Sequence, residues 1–159
     1  MSIAQQAVAQ LQSAREFFNR STRGLTEAHS NFAPAEGMMT AAQQVAHVAH
    51  TIDWFLDGAF RPEGFDTNWE EQAKVVGRYT SMEQARAWFE RAVANAIAKA
   101  ESLSDAELLE ALPAGPIMGG APRMAIFGAI TDHTAHHRGA LTVYARLNGI
   151  VPPMPYMEM

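Results

Sequence analysis

Helix-start signals recur along this chain, and the apolar residues between them follow a helical spacing. In a capping box, a Ser or Thr and a Glu or Gln three residues later satisfy free backbone N–H groups at a helix N-terminus. Thr26…His29 lacks the Glu or Gln and is predicted to fail as a box. The complete pairs are Ser2…Gln5, Thr40…Gln43, Thr80…Glu83 (or Ser81…Gln84) and Ser104…Glu107. No stretch sustains the alternation typical of a strand, so the pattern predicts an all-α fold.

Stop signals indicate where these helices end. Arg61-Pro62 ends the second helix and Asn148-Gly149 the last, because proline interrupts a helix and glycine favours its C-terminus. The predicted long helices cover 2–22, 40–60, 81–102 and 122–148, and a short one covers 105–112. Loops rich in Gly and Pro separate them at 24–39, 61–79 and 113–121. We therefore predict a four-helix bundle with long connections and one short extra helix, in one domain over 1–159.

Composition excludes several kinds of site and partner. The 159 residues contain no cysteine, so disulfides, thiolate zinc sites and a cysteine nucleophile are excluded. The net charge of −5 argues against a nucleic-acid partner. The N-terminus lacks the pattern of a signal peptide, and no apolar run is long enough for a membrane span. We therefore expect a cytoplasmic protein without a membrane partner. The proline-rich tail, 152–159, is predicted to be non-helical and to lie along the bundle or a partner subunit.

Five of the six histidines lie on the second and last predicted long helices. His133 and His137 are one turn apart within the apolar stripe of the last helix, a spacing that lets two imidazoles meet one metal ion. His47 borders the apolar face of the second helix, whereas His50 points further toward water. His47 is therefore the preferred third ligand.

Three imidazoles without thiolates suit a divalent ion such as Zn²⁺, Ni²⁺, Fe²⁺ or Cu²⁺ and leave coordination positions open. The other interpretation is that the i, i+4 histidines are hydrogen-bonded core residues. Periodicity alone leaves both interpretations open.

Two sequence blocks carry a resemblance to a known family. The second helix has a His followed seven residues later by an aromatic pair, and the last helix has a His-x-x-x-His-Arg-Gly block. These blocks run from His47 to Trp54-Phe55 and from His133 to Gly139. Together with the closing stretch 147–153, they resemble the DinB/YfiT-like family of metalloenzymes over nearly the whole chain.

The resemblance implies a four-helix bundle with up-up-down-down connections, commonly a homodimer. It also implies a divalent metal, with zinc or nickel preferred, held by His47, His133 and His137. The family pattern gives no role to His50 or His136. Characterised relatives include metal-dependent transferases that add low-molecular-weight thiols to electrophiles, and a mycothiol-dependent isomerase. The partner implied here is therefore a small-molecule substrate, such as a low-molecular-weight thiol.

Three functional hypotheses follow from these observations. The first is a metal-dependent thiol transferase, the second is a metal-dependent hydrolase, and the third is a non-catalytic metal-binding stress-response dimer. Tyr144 lies on the His133 face of its helix and is a candidate catalytic hydrogen-bond donor, with core packing as the alternative. Asp53 and Asp132 could orient an imidazole, but their helical positions point away from the metal and predict surface residues.

Overall fold

The structure, a computed structural model, describes residues 1–157, so the last two residues of the predicted domain and tail lie outside the described residues. The fold is all-α, as predicted: residues 1–157 form helices, turns and one isolated β-bridge. A 3₁₀ turn, Glu27–His29, lies between the first two helices. The α-helices are α1 (Ile3–Thr22), α2 (Ala41–Phe60), α3 (Trp69–Gly77), α4 (Met82–Glu101), α5 (Asp105–Leu109) and α6 (Ala125–Leu147).

The helix starts follow the local hydrogen-bonding chemistry of the sequence. Complete capping boxes begin α1, α2 and α5. For α4 the second of the two predicted boxes supplies the cap, since the Ser81 hydroxyl accepts from the Gln84 N–H at 3.2 Å. The prediction that Thr26…His29 fails was wrong. Nδ1 of the His29 imidazole accepts the Thr26 N–H at 3.0 Å, in place of a Glu carboxylate.

Helix α3 lies inside the stretch predicted as a loop over 61–79. It was missed because it has only nine residues and begins at an asparagine rather than at a capping box. The Asn68 side chain accepts the Glu71 N–H at 3.3 Å, and Glu71 pairs with Lys74 one turn later. Local polar contacts therefore form this helix, and a test based on apolar periodicity does not detect it.

Two predicted boundaries around the 113–121 loop were also wrong. Helix α5 ends at Leu109 rather than Leu112, because Ala111 forms a bridge with Pro122 and the Leu112 N–H bonds to the Ala121 carbonyl at 2.8 Å. Helix α6 begins at Ala125 rather than Pro122 for the same reason. These backbone groups bond across the loop and are therefore not available for helical hydrogen bonds, so neither helix continues into it.

The four long helices form the bundle, and α1 and α2 occupy opposite corners because each packs against both α4 and α6. Ser30 accepts the N–H groups of both Ala42 and Met82, so α2 and α4 begin at the same end. The Ile3 N–H bonds to Asp105, so α1 begins at the opposite end, where α6 also begins. The order is therefore up-down-down-up rather than up-up-down-down. The full-length crossover is 61–81, and it carries α3.

Aromatic and alanine side chains fill the bundle interior. The rings of Phe18 on α1 and Phe89 on α4 are fully buried, with centroids 4.5 Å apart. Many of the other core positions are alanines, which let the helices approach closely. The tail follows α1, where Tyr156 packs edge-on against Phe17 at 5.1 Å. Among residues 1–157, no helix is long and apolar enough to cross a bilayer.

Candidate metal centre

Helices α2 and α6 bring His47, His133 and His137 together. Each of these histidines offers one ring nitrogen, and the three nitrogens lie within 4.8 Å of one another. The Nε2 atoms of His47 and His133 are 3.2 Å apart, and the ring centroids of His133 and His137 are 4.5 Å apart. Packing of α2 against α6 therefore places the third imidazole beside the i, i+4 pair.

The cluster has the chemistry of a divalent-metal site. Zinc–nitrogen bonds of about 2.05 Å at tetrahedral angles place two ligand nitrogens about 3.3 Å apart. The observed 3.2 Å between the Nε2 atoms of His47 and His133 is close to that spacing. The cluster contains no carboxylate, which favours a borderline transition ion over calcium or magnesium. The three-histidine cluster is compatible with metal binding.

The surroundings keep these imidazoles uncharged. Burial, reinforced by the neighbouring imidazoles, lowers the pKa of His133 from the ordinary 6.5 to about 4 and that of His137 to about 3. Burial also lowers the pKa of His47. A neutral imidazole has a free lone pair, which is the form that binds a metal. The cluster is therefore in its ligating state at neutral pH.

A hydrogen-bond relay fixes the tautomer of His137. The Met39 carbonyl can only accept, so the Tyr144 hydroxyl donates to it at 2.8 Å. The hydroxyl oxygen then accepts from Gln44 Nε2 at 3.3 Å, which turns Gln44 Oε1 toward His137 Nδ1 at 2.5 Å. Nδ1 of His137 therefore carries the proton, and its Nε2 is left as the free ligand atom.

A cavity of about 610 Å³ opens over two of the three histidines. His47 and His133 line it, whereas His137 is buried behind them. Helix α2 forms one wall and α3 forms the cover, held by the Gln43 side chain, which donates to the Gly77 carbonyl at 3.2 Å. The other lining residues are Met39, His50, Thr51, Trp54, Phe55, Trp69, Gln72, Ala73, Val76, Ala129 and Asp132.

The sequence of the chain matches a known family. A family model described as the DinB superfamily matches residues 10–141. The chain belongs to the DinB superfamily. The family predicted from the two histidine blocks is thereby confirmed, and no curated protein matches the chain.

Solved structures of two DinB-like proteins share the fold. The DinB-like protein of Bacillus subtilis is 22% identical with a TM-score of 0.66, and the match covers 97% of this chain and 99% of that one. The DinB-like protein of Bacillus cereus ATCC 10987 is 20% identical with a TM-score of 0.67, covering 96% and 94% respectively. At these identities the likeness concerns the fold.

The positions of the other polar residues considered near the site in this DinB-family chain agree only in part with the sequence-based predictions. Tyr144 is 2% exposed and contacts the site through Gln44 rather than lining the cavity. Asp53, predicted to be at the surface, is half-buried and accepts from Trp88 Nε1 at 2.7 Å. Asp132 is exposed as predicted, yet it lines the cavity next to His133. His50 also lines the cavity, whereas His136 is exposed.

Gln44 is the functional residue that sequence reasoning missed. The residues predicted to orient a ligating imidazole were the carboxylates Asp53 and Asp132, whereas the partner in the structure is the Gln44 amide. Gln44 lies three residues before His47, so the two share a face of α2. A polar residue on the His47 face was the available signal.

The lowered histidine pKa values predict acid sensitivity of the metal-free protein. Between the unfolded pKa of about 6.5 and the folded values of about 4 for His133 and about 3 for His137, the unfolded chain binds more protons. The histidine contribution to stability is therefore complete above pH 6.5 and is lost as pH falls toward 4. Thermal unfolding of metal-free protein from pH 7.5 to 4 measures it, with His133→Asn as the comparison. An equal slope in both proteins would contradict this assignment.

Proposed function

We propose that this DinB-family chain is a divalent-metal-dependent enzyme that transfers a low-molecular-weight thiol to an electrophile. One observation carries the proposal: three neutral imidazoles converge on one point, and two of them, His47 and His133, line an accessible cavity of about 610 Å³. A structural metal is normally enclosed by four protein ligands, whereas three ligands beside a cavity leave room for a substrate atom. Zinc or nickel suits this donor set.

In the proposed enzyme, residues of the chain bind the metal, orient one of its ligands, exclude water and accept a proton. A divalent cation held by His47, His133 and His137 supplies Lewis acidity, which lowers the pKa of a bound thiol. Gln44 orients His137 from behind. The aromatic side chains of α2 and α3 line the cavity and would exclude water once a substrate fills it. Asp132 and His50 line the same cavity, and one of them accepts the proton that the thiol releases.

The test is transfer to monochlorobimane by protein loaded with zinc or nickel. The thiol sulfur forms a bond to the bimane carbon, chloride leaves, and the thiol proton passes to the base. We expect a fluorescent thioether with at least one thiol from a panel of cysteine, mercaptoethanol and sugar-linked thiols. His137→Ala should reduce the rate to that of the uncatalysed reaction. Silence with every thiol, from protein shown to hold metal, would reject transferase activity.

A metal-dependent hydrolase is the second candidate. It needs a general base near an attacking water, and the sequence offers no Glu beside a histidine ligand. The structure adds a specific observation in its favour, because His50 and Asp132 line the cavity next to His47 and His133. A p-nitrophenyl ester series tests it. Ester cleavage that is lost in His137→Ala, without thiol dependence, would replace the transferase proposal.

The non-catalytic alternative predicts a different result. A metal-binding stress-response dimer would hold metal stoichiometrically and turn over neither thiols nor esters. Metal analysis of protein purified without an affinity tag decides first between metal binding of any kind and none. An absence of metal, with no uptake on reconstitution, would reject both enzyme proposals.

We also propose that the chain forms a homodimer, as the family resemblance implies. Helix α6 exposes Val143 and Leu147, which are 54% and 58% exposed and one turn apart. Light scattering should give twice the mass of one chain, and Leu147→Glu should give a monomer. Leu109→Glu is the matched control, because Leu109 is 57% exposed on α5. A wild-type monomer would contradict the proposal.

A further inference from the structure

The cavity above the histidines has one chemically distinct end. His47, His50 and Trp54 follow one another along α2 and all line the cavity. At a rise of 1.5 Å per residue, the seven residues from His47 to Trp54 span about 10 Å. The histidine floor and the aromatic end are therefore separated by the length of a small molecule.

The aromatic end is a braced surface rather than a group of loose side chains. Nε1 of Trp54 donates to the Asp66 carbonyl at 2.7 Å, and its ring lies 4.8 Å from that of Phe65. Phe65 in turn packs directly on Gly58, where an added Cβ would lie 2.2 Å from the Phe65 ring. These contacts fix the Trp54 ring plane before any ligand arrives, so binding loses little side-chain entropy.

Trp69 is placed to complete a ring-binding site. It begins α3, lines the cavity, and its ring centroid is 5.7 Å from that of Trp54. The side chain is 55% exposed, which is unusual for a tryptophan. A planar ligand ring against the exposed face of these indoles would bury this surface and gain favourable ring packing.

The lining of the cavity offers an anion no cationic partner. Among the described residues lining it, none is lysine or arginine, and Asp132, which lies beside His133 at the histidine end, is the acidic one. Asp53, Asp57 and Asp66 all act electrostatically on His50, so further negative charge lies near the middle of the cavity, although none of the three lines it. The only basic side chain of α3, Lys74, is already paired with Glu70 and Glu71. A ligand carboxylate there would lose hydration without gaining a cationic partner.

We infer that the cavity binds a molecule with a small donor group at the histidine end and, about 10 Å away, a planar aromatic ring that is neutral or cationic. This inference deepens the proposed function by naming the class of substrate. Its first part, the donor group at the histidines, rests on that proposed function. A cationic ring substituent would also be attracted to the indole faces. A carboxylate at the far end of a thiol or acceptor should weaken its binding.

The test is the relative affinity of four matched thiols for zinc-loaded protein, measured by calorimetry and by quenching of tryptophan fluorescence. They are 3-phenylpropanethiol, its cyclohexyl analogue, and the para-aminomethyl and para-carboxylate derivatives of the phenyl compound. We expect the neutral and cationic phenyl thiols to bind at least about tenfold more tightly than the carboxylate. The phenyl compound should exceed the cyclohexyl compound by about two- to tenfold.

Two variants of exposed aromatic residues locate the site. Trp69→Leu should weaken phenyl-thiol binding by about fivefold while leaving mercaptoethanol binding unchanged. Tyr156→Leu should leave both unchanged, because Tyr156 packs on Phe17 of α1, outside the lining of the cavity. Equal or tighter binding of the carboxylate, or no effect of Trp69→Leu in protein with wild-type circular dichroism, would overturn the inference.

A failure of the proposed function can be told apart from a failure of this inference. The same series without sulfur, comprising 3-phenylpropanol and its charged derivatives, is titrated into metal-free protein. If the chain binds no metal, the proposed enzyme is rejected, yet the order neutral and cationic above anionic should persist. If metal binds and the order is reversed, the inference fails and the metal-dependent function stands.

Discussion

Replacing His137 with alanine should abolish stoichiometric metal binding. The residue is 8% exposed, its pKa is lowered to about 3, and its proton is held on Nδ1 by Gln44. Together these features leave Nε2 of His137 unprotonated and available to bind a metal with the other two imidazoles. Loss of an outer partner of a ligand typically costs 10–100-fold in metal affinity, so loss of a ligand should cost more than about 100-fold. Metal analysis after dialysis, together with competition against a chromogenic chelator, measures this.

His136→Ala is the matched control for that experiment. It removes an imidazole from the adjacent position of the same helix, but this ring is exposed and does not belong to the three-nitrogen cluster. Its metal affinity should stay within about threefold of wild type. Unchanged metal content in His137→Ala, or equal losses in both variants, would show that the metal is bound elsewhere.

Replacing Gln44 with leucine should weaken metal binding by about 10–100-fold without removing a ligand. Leucine is close to glutamine in size but accepts no hydrogen bond, so His137 Nδ1–H would be left buried without a partner. The imidazole could then adopt either tautomer, and only one of these presents Nε2 to the cluster. Chelator competition measures the affinity, and the ring-nitrogen chemical shifts of His137 report its tautomer directly.

Tyr144→Phe separates the effect of the relay from simple loss of a buried polar group. Gln44 Oε1 would still face His137 in this variant, held less firmly because its amide nitrogen loses the Tyr144 oxygen as an acceptor. We expect a smaller loss of metal affinity than in Gln44→Leu, about two- to fivefold. A larger loss in Tyr144→Phe would indicate that the hydroxyl acts on the site by another route.

The sequence predicted those parts of the molecule that depend on repeating local patterns. The long helices came from capping boxes such as Thr40…Gln43 and from apolar periodicity, and their bounds agree with the structure to within three residues. The selection of His47 over His50 rested on the apolar face of one helix, and the structure brings His47 to the pair on α6. Each of these depends on interactions within a single helix.

The features that were missed depend on contacts between distant segments. The relay from Gln44 to Tyr144 spans 100 positions of sequence, so no local pattern encodes it. Helix α3 has one buried residue, Val76, and therefore almost no hydrophobic period to detect. The up-up-down-down order was expected from the family resemblance. The observed up-down-down-up order follows from the position of the full-length connection, which joins α2 to α4.

The crossover 61–81 covers the cavity, but the histidines themselves belong to the bundle. The cover and the histidine cluster can therefore vary independently. The histidines stand on bundle helices whose burial holds the molecule together, whereas α3 packs against α2 and buries only Val76. Replacing the segment between Phe60 and Met82 by a different crossover should therefore change which ligands the cavity binds while the three-histidine cluster is retained. This segment is the part of the chain to exchange when ligand selectivity is to be altered.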